Sequence, residues 1–259
     1  MYNPLKTFVV PPHSYARPLR RALEELGVKV IVAPPPKAYK LVMDGKAEAG
    51  IAPLALAAKS PEMIVVGPMV YSIADTYSVI IVSRTPRMLE ECRNIVVHGE
   101  SRTSTLYLAL IIKKLNLKIN IFSEKAYGVN QLLDLGDCAL LLGDDALKAR
   151  ASNRVWVVAD LGRLVYEVLG ISPVYAVTVS KNSITNFDVT PIATFEDVKM
   201  TSLATGLSLE EAARYYRLVK LDYREDLLAQ ALPVIVRAIR LYGNVSKLQA
   251  NSILEQAHV

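Results

Sequence analysis

Short β-branched runs alternate with amphipathic stretches along most of the chain. The run "KTFVV" (6–10) predicts a strand, and "SYARPLRRALEELG" (14–27) predicts a helix. In that helix apolar Leu19, Ala22, Leu23 and Leu26 recur at helical spacing, Ser14 suits the N-cap and Gly27 the stop. "VKVIVA" (28–33) predicts a second strand, ended by Pro34, Pro35 and Pro36, and a short helix and strand follow up to Pro53. Two apolar runs then come with little room between them, "MIVVGPMVYS" (63–72) and "TYSVIIVSR" (76–84). The alternation restarts at "NIVVHG" and continues to "PVYAVTVSK" (173–181). From about Ser208 the remainder reads as helix, opened by the capping box of Ser208 and Glu211.

Strands separated by helices need crossover connections, so the pattern predicts an α/β fold with mostly parallel sheets and a C-terminal helical segment. The two long apolar strands, 76–84 and 173–181, bracket a middle block with its own βα alternation. Such a block predicts a domain inserted into another, with these two strands as hinges. The first lobe is then 1–84 plus 177–259 and the second 85–176. A cleft between two α/β lobes is the usual place for a small ligand.

Composition removes several function classes. With 52% hydrophobic and 21% charged residues the chain is neither disordered nor collagen-like. Mean hydropathy is +0.26, yet "YLALII" (107–112) stops at Lys113 and Lys114, far short of the ~20 residues a membrane span needs. The N-terminal "FVV" also falls short of the roughly 7–15 apolar residues of a signal peptide, so a cytoplasmic location is expected. Net charge is +5, but the basic residues are dispersed. A nucleic-acid arm would concentrate them, so the expected partner is a small anionic molecule. Cys92 and Cys138 lie far apart, and His13, His98 and His258 are scattered, so neither CxxC nor HExxH spacing occurs. There is no P-loop, GxGxxG or Ser-His-Asp set, and no metal or cofactor is expected.

Three segments carry candidate chemistry. "HGESRTSTLYLA" (98–109) puts Ser101, Thr103 and Ser104 where a helix begins after a strand and a glycine turn. A helix start has unpaired N–H groups and the positive dipole end, which suits carboxylate or phosphate; a plain Ser or Thr cap has the same signature. "HSYARPL" (13–19) sets Ser14, Tyr15 and Arg17 after the first strand, where Arg17 is placed to clamp a carboxylate. "LLLGDDALKAR" (140–150) places Asp144 and Asp145 after an apolar strand, for acid–base work, ligand orientation or helix capping.

The stretches "SYARPL", "GKAEAGIAP", "YSVIIVSRTP", "GESRTSTLYLALIIKK", "GDCALLLGDDALK" and "ADLGRLVYEVLGISPVYAV" occur in this order from about residue 14 to 180. Together they resemble the menaquinone-biosynthesis family of the futalosine pathway, which contains chorismate dehydratase and dihydroxynaphthoate synthase. The resemblance implies a two-lobe, periplasmic-binding-protein-like (type 2) fold with two hinge strands. The synthase branch carries a histidine base where this chain has Gly143-Asp144, so the resemblance is to the dehydratase branch. The implied reaction removes water from chorismate to give an enolpyruvyl benzoate, with the substrate's own carboxylate as base. Ser14, Tyr15 and Arg17 are then implied on one lobe, and Ser101, Thr103, Ser104 and Asp144 on the other. The dehydratase motif Tyr-Leu-Asn-Ala-Arg-Pro-Leu stands here as Tyr15-Ala16-Arg17-Pro18-Leu19, without the Leu-Asn pair. That departure leaves open a family enzyme with another substrate, and a carboxylate-binding protein of the same fold is the other alternative.

Overall fold

The structure, a computed structural model, describes residues 5–99, 101–125, 128–152, 154–182, 189–243 and 247–248. The chain begins with β1 (Thr7–Val10), α1 (Arg17–Glu25), β2 (Lys29–Val32), α2 (Pro35–Met43), β3 (Ala49–Pro53), α3 (Leu54–Ala57) and β4 (Ile64–Tyr71). After residues 72–78 come β5 (Val79–Ser83), β6 (Asn94–His98), α4 (Arg102–Lys114), β7 (Asn120–Glu124), α5 (Val129–Leu135), β8 (Cys138–Leu142), α6 (Gly143–Ala151) and β9 (Trp156–Asp160). The return passes through α7 (Leu161–Leu164) and a π-helical turn to β10 (Val174–Ser180). Then follow α8 (Phe195–Thr205), α9 (Leu209–Leu218), β11 (Lys220–Asp222), α10 (Glu225–Tyr242) and β12 (Lys247–Leu248).

Two six-stranded sheets result, ordered β11-β4-β10-β3-β1-β2 and β12-β7-β6-β8-β5-β9. Each repeats one plan. In the first, β1 is parallel to β2 and β3, and β10 runs antiparallel between β3 and β4. In the second, β6 is parallel to β7 and β8, and β5 runs antiparallel between β8 and β9. Each sheet thus takes its internal antiparallel strand from chain that has just crossed from the other. Strands covered on both faces read as unbroken apolar runs, and β5 and β10 are buried along their whole length.

This corrects the expected boundaries. Residues 76–84 and 173–181 do not bridge the lobes as strands. β5 lies wholly in the second sheet and β10 wholly in the first, so the crossings fall at 72–78 and 161–173. β12 also joins the second sheet by pairing with β7, so the chain's last described residues leave the first lobe. The expected C-terminal helices beyond β12 lie outside the described residues.

A disulfide joins Cys92, just before β6, to Cys138, which opens β8, across 46 residues of sequence. Both cysteines are buried. Sequence distance concealed this contact, which arises because β6 and β8 are neighbours. Residues 103–112 of α4 are all buried, because α3 and α10 pack on the helix in addition to its own lobe.

Asp197 ties α8 to α1 through Arg21. Burial raises its pKa, but bonds from the Thr194 N–H (2.8 Å), the Arg21 guanidinium (2.6 Å) and the Thr194 hydroxyl (2.9 Å) outweigh it, and the net shift is downward from 3.8. The depressed pKa belongs to the folded state. The contribution is therefore present above pH 3.8 and is lost as pH falls through the folded value. Asp197→Asn should flatten the acid limb of stability, read as denaturant midpoints at neutral pH and near pH 3. An unchanged acid limb would contradict this role.

Candidate functional site

A cavity of about 320 Å³ lies between the two sheets, within the size range of small-molecule sites. Its walls come from the carboxyl ends of the parallel strands, where α/β proteins place ligands. Pro12 and Tyr15 follow β1, Pro34 follows β2 and Pro53 ends β3, while His98 ends β6 and Leu142 ends β8. Val70, Val79, Leu132, Leu140 and Leu141 make much of the remaining lining apolar.

The polar end of the cavity is the start of α4. Ser101, Arg102, Thr103 and Ser104 all line it. Ser101 is 4% exposed and its hydroxyl has no hydrogen-bond partner. It occupies the N-cap position without capping the helix through its side chain. A buried hydroxyl without a partner carries a desolvation cost that a ligand acceptor would relieve. Thr103 Oγ1 accepts a 3.2 Å bond from the Ala55 N–H, which fixes this helix start to the other lobe.

The remaining expected residues divide. Tyr15 lines the cavity, and burial, reinforced by Asp144, raises its pKa. Ser14, Arg17 and Asp144 are not among the lining residues. Instead the Ser14 N–H and hydroxyl donate to the two Asp144 oxygens at 2.8 and 3.0 Å, clasping β1's following turn to the start of α6. Arg17 opens α1, and its Nε is buried without an acceptor. The neighbouring Asp145, rather than Asp144, reaches the cavity wall.

Several lining residues had no signal in the sequence. Tyr71, Thr76, Ser78 and Tyr175 belong to or flank the crossings. Tyr175 and Thr76 share a 2.9 Å hydrogen bond between their hydroxyls, and burial raises the Tyr175 pKa well above its ordinary value. The crossing itself is held by Asp160, the N-cap of α7. Its carboxylate accepts from the Thr76 N–H (2.9 Å), the Tyr77 N–H (2.7 Å) and the Gly162 N–H (2.9 Å). Arg150 Nη2 lies 3.5 Å from the same carboxylate, Arg150 Nε donates to the Tyr77 carbonyl at 2.8 Å, and the guanidinium covers the Tyr77 ring. These contacts hold Tyr77 at φ +66°, a conformation a bulky residue rarely adopts. Gly162 is required in the same knot, since a Cβ there would stand 2.1 Å from Thr76 Oγ1 and 2.3 Å from the Ala74 carbonyl oxygen.

Among the described residues no three His, Cys, Asp or Glu side chains cluster as a metal site, and no helix is long and apolar enough to cross a membrane.

Solved structures share this architecture. Protein AF1704 from Archaeoglobus fulgidus is 14% identical, covers 92% of this chain and 98% of its own, and has a TM-score of 0.65. The CA3427 gene product of Candida albicans, described as having the generic periplasmic-binding-protein fold, is 12% identical over 98% of this chain and 94% of its own, with a TM-score of 0.64. The periplasmic aliphatic sulphonate binding protein SsuA of Escherichia coli is 10% identical over 96% of this chain and 91% of its own, with a TM-score of 0.63. These likenesses establish the two-lobe periplasmic-binding-protein fold. No curated protein sequence matches the chain. The sequence pattern of the menaquinone-biosynthesis family, however, fits residues 11–250, almost the whole molecule, and the chain belongs to that family.

Proposed function

We propose that the protein is a lyase of the chorismate dehydratase type, removing water from chorismate to form an enolpyruvyl benzoate. The carrying observation is the buried, unpartnered Ser101 hydroxyl at the α4 start, in a cavity that also presents the aliphatic side chains of Leu132, Leu140 and Leu141. An alicyclic ring bearing carboxylates matches both halves of that surface. The ring packs on Leu132, Leu140 and Leu141, and a carboxylate takes the Ser101 hydroxyl and the free N–H groups of the first turn. Arg102 adds positive charge at the same end.

Membership of the menaquinone family supports a biosynthetic enzyme, and Gly143-Asp144 resembles the dehydratase branch rather than the histidine-bearing synthase branch. The elimination needs a base for one ring proton and assistance for the departing hydroxyl. The substrate's own carboxylate serves as the base. The protein then contributes orientation and exclusion of water as the lobes meet across the Ser14–Asp144 clasp.

Purified protein incubated with chorismate should abolish the diene absorbance and yield an aromatic product. Ser101→Ala should weaken chorismate binding about 10–100-fold, the value of a charge-assisted bond to a buried group. Chorismate that binds and is recovered unchanged would make the chain a carboxylate-binding protein. Chorismate that neither binds nor reacts would direct the search to another dicarboxylate.

A further inference from the structure

Elimination leaves a departing hydroxide that must gain a proton, and the lyase reading on which this inference rests leaves that donor unassigned. Of the sequence's three histidines, His13 and His98 fall within the described residues, and both line the cavity. They come from opposite lobes, His13 after β1 and His98 at the end of β6.

His13 is the better braced. Gly143 adopts φ +57°, and a Cβ there would stand 2.5 Å from His13 Nδ1 and 2.8 Å from Cε1. The imidazole therefore lies against the bare backbone of the opposite lobe. The Tyr15 ring flanks it at 5.7 Å between centroids. The next residue, Ser14, is fixed by its two bonds to Asp144, and its carbonyl accepts a 2.8 Å bond from the Tyr216 hydroxyl. The contact between the lobes thus seats the ring where it lines the cavity.

We propose that His13 protonates the departing hydroxyl, and that residue 143 is glycine to admit the imidazole from the other lobe. As the ring C–H bond breaks, its proton passes to the substrate carboxylate and its electron pair completes the aromatic ring. The C–O bond breaks with its pair on oxygen, which takes the imidazolium proton and leaves as water. Solvent then reprotonates the neutral imidazole. The titratable and charged groups on the elements packed here are Tyr15 and Arg17 on its own segment, Asp144 and Asp145 on α6, Tyr215 and Tyr216 on α9, and His98 and Arg102 on the second-lobe wall.

The test is steady-state dehydration of chorismate across pH by wild type, His13→Gln and Gly143→Ala, with thermal melts to verify folding. His13→Gln should lower kcat by about 100-fold or more while KM changes far less, and its profile should lose the basic limb that an imidazolium donor creates. Gly143→Ala, which keeps the histidine but displaces its ring, should lower kcat in the same direction. It tests the proposal even if His13→Gln fails to fold. Wild type active with either folded variant within a few-fold of it would overturn this inference alone. Wild type inactive on chorismate would overturn the lyase reading and this inference with it.

Discussion

Asp160→Ala should lower the unfolding free energy by about 3–5 kcal/mol, the scale of breaking a buried, hydrogen-bonded ion pair by removing one partner. The Asp160 side chain is 11% exposed and serves both crossings at once. It accepts the Thr76 and Tyr77 N–H groups on the outward path and the Gly162 N–H on the return path. Removing it leaves those donors and Arg150 without their acceptor, each at a desolvation cost. It also releases Tyr77 from its positive φ and loosens Thr76, which lines the cavity. Ligand affinity should fall with stability. Asp160→Asn keeps one acceptor oxygen but turns an NH₂ toward backbone donors, so it should recover only part of the loss. Denaturant unfolding of the three proteins decides the matter. A loss below about 1 kcal/mol for the alanine variant would show that Asp160 does not hold the crossing.

The second large effect belongs to the Cys92–Cys138 bridge. A cross-link spanning 46 residues removes loop-closure freedom from the unfolded chain worth about 4 kcal/mol. The double variant Cys92→Ala/Cys138→Ala should lose stability on that scale. Reductant should destabilise the wild type and leave the variant unmoved. The bond ties the entrance of β6 to the entrance of β8, the two strands whose far ends carry His98 and Leu142 into the cavity. Equal denaturation midpoints for the oxidised wild type and the double variant would show that the bridge does not stabilise the fold.

The alternation of strands and helices was readable because each element buries one stripe or one face. The two long apolar runs stood out because β5 and β10 are covered on both faces. Periodicity reports burial and not partner, so it could not show that each run belongs to the sheet on the far side of its crossing. Ser101, Thr103 and Ser104 were legible as a hydroxyl cluster at a helix start, a local feature. Ser14 and Asp144 carried equally suggestive local patterns, yet 130 residues apart they bond to one another. Tyr175 and Thr76 both read as ordinary strand positions until the crossings bring them together. His13 and His98 had no spacing partner in the sequence, since the lobes alone bring them to one cavity.

A crystal structure of the protein with chorismate or its enolpyruvyl benzoate product decides whether the α4 start receives the substrate's carboxylate between the two lobes. A carboxylate should lie within hydrogen-bond distance of Ser101 Oγ and the first-turn N–H groups of α4, with the six-membered ring on Leu132, Leu140 and Leu141. A ligand bound with its carboxylates away from α4, or an empty cavity at saturating ligand, would contradict it.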